Sequence, residues 1–396
     1  MTGRDPTDPR ADHLADQRAV QLDAAMQQVA ATMSAPGALW AVAWGPRERR
    51  RVVTGRAGGL AQDAILRVSS LTKVIGTVAT LALADAGVVQ LDDPLGRWVP
   101  AWAGRRVLRE RHGRLSDTVL AHREVTVRDL LLMGFGLGYD MAAGADDELT
   151  GASERGQLLS SWVCPDVDQR TWVRRVAALP MRHQPGAGWL YQSSYDALTV
   201  VLEAATGLPG KDLVRQVVLA PLGLSQTSYS VREDQLHRVP ALFFPDDHAG
   251  MQLAAPEADR SLLSPPVFPT LSTGLVSTVS DLVRFGQVLL DSGVGPHDRL
   301  LSAEAVSAMS TPVLTGAARD MAAEFLDHGR AWGLGAAVDD EGRFGWDGGT
   351  GTSLWVDPGA GTVAVPLTRQ GMGGPAAPDY LRAFWEAVRS APWPCG

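Results

Sequence analysis

Ser70 and Lys73 stand three residues apart in SSLTKVIG, a spacing that brings both side chains to one face of a helix. A serine hydroxyl becomes a nucleophile when an adjacent base takes its proton, and a lysine amine is such a base once burial or nearby charge lowers its pKa. Arginine has no such capacity, because its guanidinium stays protonated. This gives weight to a compositional oddity: of 36 basic residues, Lys73 and Lys211 are the two lysines. With 23 serines and two lysines in 396 residues, the number of Ser-x-x-Lys matches expected by chance is roughly 0.1. Val74, Ile75, Val78 and Ala79 follow in the chain, so the lysine is expected to enter an apolar interior rather than a solvated helix face.

Other chemistries lack their residues. There is no Gly-x-Ser-x-Gly elbow of an alpha/beta-hydrolase, no Walker-type loop, and no His-Glu-x-x-His or Cys/His cluster at metal spacing among the eight histidines. GFGLG at 134–138 lacks the full dinucleotide-loop form and the preceding strand. No metal and no cofactor are therefore expected. A net charge of -8 argues against a nucleic-acid footprint, and no apolar run reaches the ~18 residues of a membrane span. The polar first twenty residues contain no signal-peptide core, so a cytoplasmic protein is expected. Cys164 and Cys395 cannot build a disulfide framework.

The elements that must position Ser70 and Lys73 follow from hydrophobic period. Residues 1–20 read as a flexible tail, and Leu22, Met26 and Val29 then recur at helical spacing. ALWAVAW and RRVVTG, separated at Gly45-Pro46, read as a strand hairpin, and VIGTVATLALADA as a buried helix. From 92 to 260 short helical patterns dominate. After it, TGLVST leads into the helix DLVRFGQVLL, TSLWVDP and GTVAVPLTR turn at Pro358-Gly359, and DYLRAFWEAVRS closes the chain. Strands at both chain ends imply an α+β fold, with a central antiparallel sheet flanked by helices and a mostly helical inserted lobe. The boundaries are 21–91 with 261–396 for the discontinuous sheet domain, and 92–260 for the helical domain.

LRVSSLTKVIGTVATLALADAGVVQLDDPLGRWVP resembles the nucleophile region of the serine beta-lactamase and penicillin-binding-protein superfamily, in particular its class C beta-lactamase and class VIII esterase branch. VTVRDLLLMGFGLGYD, PGAGWLYQSSYDALTVVLEAATG and TLSTGLVSTVSDLVRFGQVLL continue the resemblance, which runs from about Arg67 to Thr368. It implies a beta-lactamase/transpeptidase-like fold, Ser70 as nucleophile and Lys73 as its partner. The family's Tyr-x-Asn motif falls on Tyr191-Gln192-Ser193, making Tyr191 a base or proton shuttle and setting Ser193 where the Asn amide would hold an acyl-amide substrate. Tyr195 is the competing tyrosine. The Lys-Thr-Gly motif falls on Trp346-Asp347-Gly348, similar to the Trp-x-Gly form of class VIII esterases and related acyltransferases. Trp346 there offers an apolar wall and one N–H donor instead of a cation. Gly349 would present its backbone N–H beside that of Ser70 as an oxyanion hole.

The resemblance implies a serine hydrolase that takes a small-molecule carboxylic ester through an acyl-enzyme, in a site between the two lobes. Tyr139 and Trp189, with Trp346, are expected to line an aromatic pocket. An acyltransferase of secondary metabolism using the same acyl-serine is the alternative, followed by a beta-lactamase, a D-aminopeptidase or another amide hydrolase. A catalytically silent binding module on the same fold is the reading from a different class.

Overall fold

All seven residues of strand Ala38–Trp44 are buried, and the period-2 alternation of a strand divides them between two cores. Leu39, Ala41 and Ala43 face the main core. Ala38, Trp40, Val42 and Trp44 face a second core closed by Leu22, Met26 and Ala30 of helix Pro9–Thr32 and by Leu381, Phe384 and Val388 of helix Asp379–Ser390. A strand with apolar residues on both faces can only be central, and this one pairs with Arg51–Ala57 on one side and Thr362–Thr368 on the other. Trp40 lies opposite Gly55, where a Cβ would stand 2.3 Å from the indole ring.

The computed structural model describes residues 9–390 apart from 249, 327 and 328. Its main sheet is antiparallel and seven-stranded, in the order Arg51–Ala57, Ala38–Trp44, Thr362–Thr368, Thr352–Asp357, Phe344–Gly348, Ala337–Val338, Ala331–Trp332. The two chain ends therefore meet in one sheet. The N-terminal helix starts at Pro9, so residues 9–20 extend it instead of forming the expected tail. Residues 1–8 and Cys395 lie outside the described residues.

Helix Leu71–Asp85 is buried on nearly every side. It packs against strands Phe344–Gly348 and Thr352–Asp357 on one flank and helices Ser193–Thr206 and Gly210–Val214 on the other. Burial of Val74, Ile75, Val78 and Leu81 stabilises by about 1.5–3 kcal/mol each, which makes this helix a rigid platform for Lys73. At Gly76 an added Cβ would stand 2.9 Å from Leu271, so the glycine lets the segment around Ser272 approach the lysine.

Between 92 and 260 the helices Val127–Leu131, Glu148–Arg155, Gln169–Ala177, Ser193–Thr206 and Gly210–Val214 are joined by long irregular segments. Two small antiparallel pairs also occur there, Arg106–Leu108 with Thr118–Leu120 and Leu242–Pro245 with Met251–Ala255. Strands of three to five residues are too short to show a period, so they were absent from the sequence expectation. The fold is mixed α+β. Among the described residues no helix is long and apolar enough to cross a membrane.

Candidate active site

The turn entering helix Leu71–Asp85 is built by close backbone approaches. Val68 N–H donates to Leu275 O at 3.0 Å, Leu71 N–H donates to Val68 O at 3.1 Å, and Ser69 adopts a left-handed φ of 44°, an unfavourable conformation for a residue with a Cβ. Ser70 follows at the head of the helix. Across from it, a Cβ on Gly348 would stand 2.5 Å from Val68 O and 2.2 Å from Thr352 Oγ1. Glycine is thus what lets strand Phe344–Gly348 reach the serine turn, and it carries Gly349 to the same cavity wall as Ser70.

Lys73 is fully buried and its Nζ has three oxygen partners: Ser70 Oγ at 3.0 Å, Gln192 Oε1 at 3.0 Å and Ser272 O at 2.6 Å. Burial, opposed by the Asp196 carboxylate, pushes the amine down to about 7. In the neutral amine two N–H groups satisfy Gln192 and Ser272, and the lone pair faces the Ser70 hydroxyl. Trp346 Nε1 can only donate, and it donates to Tyr191 Oη at 2.9 Å. Ser70 is the other polar side chain beside the Tyr191 phenol. Burial pushes the Tyr191 phenol well up, against the pull of its polar neighbours Ser70 and Trp346. Lys73 Nζ sits 4.4 Å from the Tyr191 ring centroid. Tyr191 is therefore a neutral phenol, able to give a proton and poorly suited to take the first one.

The Tyr-x-Asn comparison pointed to Ser193, and here the geometry corrects the expectation. Ser193 opens helix Ser193–Thr206, its Oγ is buried without a hydrogen-bond partner, and it does not border the cavity. The amide that reaches Lys73 belongs to Gln192, one residue earlier, whose Nε2 donates to Ser160 O at 2.5 Å, Ser160 Oγ at 2.9 Å and Ser161 O at 3.1 Å. Tyr195 faces away, paired with Thr77 Oγ1 at 2.6 Å in the core.

The cavity in front of Ser70 has a volume of about 370 Å³. Its walls are largely apolar, with Met141, Trp162, Phe244, Phe325 and Met372 joining Tyr139 and Trp346. Tyr139 is held by its hydroxyl, which donates to Ser160 O at 3.0 Å. Trp189, expected as a wall, lies behind it instead: it is buried against Tyr191, Phe325 and Trp332 and does not border the cavity. Asp347 borders the cavity but is spent on neighbours. It pairs with Arg330 at 2.8 Å and accepts from Ser353 Oγ at 2.5 Å and Trp355 Nε1 at 3.1 Å. Gln192, Phe325, Arg330 and the buried Asp196 were missed by sequence reasoning. The acid inside the apolar pattern YDALTVV was the one visible signal. Among the described residues no group of three or more His, Cys, Asp or Glu side chains could hold a metal ion.

The arrangement can deprotonate a serine and hold a neutral phenol beside its oxygen, in a cavity with largely apolar walls. Known proteins resemble this chain throughout. Protein Rv1367c of Mycobacterium tuberculosis is 30% identical over 325 residues, 77% of either chain. Esterase EstB of Burkholderia gladioli is 28% identical over 400 residues, covering 90% of this chain and 92% of its own. Among solved structures, EstCE1, described as a hydrolase with promiscuous acyltransferase activity, superposes with a TM-score of 0.77 at 21% identity, covering 95% of this chain and 99% of its own. The Beta-lactamase family model matches residues 22–387, and the chain belongs to that family.

Proposed function

We propose that the protein is a serine hydrolase that cleaves carboxylic esters through an acyl-Ser70 intermediate. The observation that carries this reading is the fully buried Lys73 amine 3.0 Å from Ser70 Oγ, beside a Tyr191 phenol that accepts from Trp346 Nε1. Lys73 takes the Ser70 proton as the oxygen attacks the ester carbonyl. The Ser70 and Gly349 N–H groups hold the oxyanion. Tyr191 protonates the departing alkoxide and recovers a proton from the Lys73 ammonium. Water then attacks the acyl-serine with Lys73 again as base, and Ser70 is restored.

The apolar walls favour an uncharged substrate. The Trp346 N–H is taken by Tyr191, and the Arg330 charge beside it is balanced by Asp347, so a substrate carboxylate finds no unbalanced cation there. The esterase relative supports hydrolysis. The same acyl-Ser70 can be taken by an alcohol held against the apolar wall, and the hydrolase with promiscuous acyltransferase activity that shares this fold favours that as the second reading.

Ser70→Ala should lower p-nitrophenyl butyrate hydrolysis by roughly 10⁴-fold or more, and intact-mass analysis should find an acyl adduct on the wild-type chain alone. Undiminished hydrolysis by the variant would sink the assignment. Adding an alcohol and measuring ester product against free acid divides the two readings.

A further inference from the structure

Asp196 is fully buried in the first turn of helix Ser193–Thr206, and the reaction described above does not use it. Each of its carboxylate oxygens holds one hydroxyl: Ser272 Oγ donates to Oδ1 at 2.6 Å, and Ser160 Oγ donates to Oδ2 at 2.8 Å. The same two residues carry the acceptors that aim Lys73. Ser272 O accepts from Lys73 Nζ at 2.6 Å. Ser160 O accepts from Gln192 Nε2, and Gln192 Oε1 accepts from Lys73 Nζ at 3.0 Å. One carboxylate thus fixes both of the groups that orient the amine toward Ser70.

We propose that Asp196 is a positioning residue for Lys73, a buried carboxylate that orients the amine through Ser272 and Ser160 and balances the positive charge it acquires when Ser70 gives up its proton. The inference rests on the acyl-serine reading above. Hydrogen bonding alone does not call for an acid here. Ser160, Thr270 and Ser272 contribute hydroxyls that join one another at 2.8 and 3.0 Å, and hydroxyls can turn to serve an amide as readily as a carboxylate. Burying an ion is unfavourable by several kcal/mol unless a charge answers it. The ionisable groups facing Asp196 are Lys73 from the nucleophile helix, Tyr139 and Cys164 from the insert, and Tyr229. Burial raises the tyrosines and pushes the Cys164 thiol up to about 12, so all three stay neutral near pH 7. Lys73 is the group among them that takes on a positive charge for the carboxylate to answer, when it accepts the Ser70 proton.

The test is the rate at which a fluorophosphonate probe labels Ser70 as a function of pH, in the wild type and in Asp196→Asn. An anion near an amine favours its protonated form. Removing the anion should therefore move the acidic limb of the profile to lower pH by about one unit or more. The weaker base left behind should label roughly tenfold more slowly on the plateau. In steady state kcat for p-nitrophenyl butyrate should fall while KM changes little, a split that general loosening of the fold would not produce. If Asp196→Asn does not fold, Ser272→Ala, which removes one link between the carboxylate and the lysine, should shift the limb in the same direction by less. A variant that folds and keeps the wild-type limb and plateau overturns the inference and leaves the acyl-serine reading intact. A wild-type chain that takes no label at any pH removes both.

Discussion

Two buried acid–base clusters are built in opposite ways. In the first, Arg182 touches its acids directly: Nη2 lies 2.6 Å from Asp147 Oδ1, Nη1 lies 2.9 Å from Asp147 Oδ2, and Nε lies 3.2 Å from Asp140 Oδ2. The three side chains are 1–3% exposed. Arg182 also donates to Arg111 O at 2.8 Å and Thr150 Oγ1 at 3.1 Å. Contact with Arg182 holds the Asp147 carboxyl below its usual range, Asp140 is held down against its burial by Arg111 and His112 together with Arg182, and an arginine cannot lose its proton. In the second, a serine stands between Lys73 and Asp196. Desolvation then prevails over attraction, pushing the amine down and the carboxyl up. Contact locks charge, and separation by one residue leaves it movable. The first cluster suits a pin between the segments around Arg111, Asp147 and Arg182, the second a group that must exchange a proton.

The strongest challenge to this contrast is to give the second cluster the cation of the first. Lys73→Arg keeps the positive charge and removes the lone pair, so Ser70 labelling and ester hydrolysis should fall by roughly 10³-fold or more. A variant retaining a tenth of wild-type activity would mean that Lys73 serves as a charge and not as a base. The complementary change is Arg182→Ala, which leaves the buried Asp147 carboxylate without its cation while Asp140 keeps Arg111. Breaking a buried pair this way costs about 3–5 kcal/mol, read as a lower urea-unfolding midpoint. Under conditions where the variant is folded, kcat/KM per folded molecule should stay near wild type. A loss of activity without a loss of stability would assign the arginine cluster to the chemistry instead of the scaffold.

The same contrast explains what could be read from the chain in advance. Ser70 and Lys73 were legible because their relation is local, one helical turn in an apolar run. The sheet was legible because ALWAVAW and GTVAVPLTR are apolar on both faces, so each had to be central. Relations across the fold were not. Trp189 is close to Tyr191 in sequence yet lies behind it, while Phe325, from a distant segment, stacks on Tyr191 with ring centroids 4.6 Å apart and borders the cavity. Gln192 was passed over because the Tyr-x-Asn spacing drew attention to Ser193, whose position opening a helix turns it into the packing. Asp196 stands as an acid inside an apolar run, and its partners Ser160 and Ser272, 36 and 76 residues away, are brought beside it only by the fold.

The smallest predicted effect separates the two clusters without a mutation. Lys73 accepts a proton only when neutral, so with its amine lowered to about 7 the labelling rate should lose about tenfold for each pH unit below that value. Asp147 behaves differently. Its folded-state pKa is depressed, so the stability it contributes is complete above the unfolded value of about 3.9 and is lost only as pH falls through the folded one. Between pH 7 and pH 5 the labelling rate should therefore fall while the pin held by Asp147 and Arg182 stays intact, and activity should return when the pH is restored. Lys73 acts on stability in the same direction but in a higher pH window. Its amine is lowered on folding, so from about pH 7 upward the unfolded chain binds the extra proton and this residue makes the protein more stable as pH rises toward the ordinary lysine value of about 10.4. Replacing Lys73 with Met removes that term, and the rise in urea midpoint between pH 7 and pH 10 should be smaller in the variant. Equal slopes in the two proteins would mean that Lys73 is protonated in the folded state at neutral pH, which would return the role of first base to Tyr191.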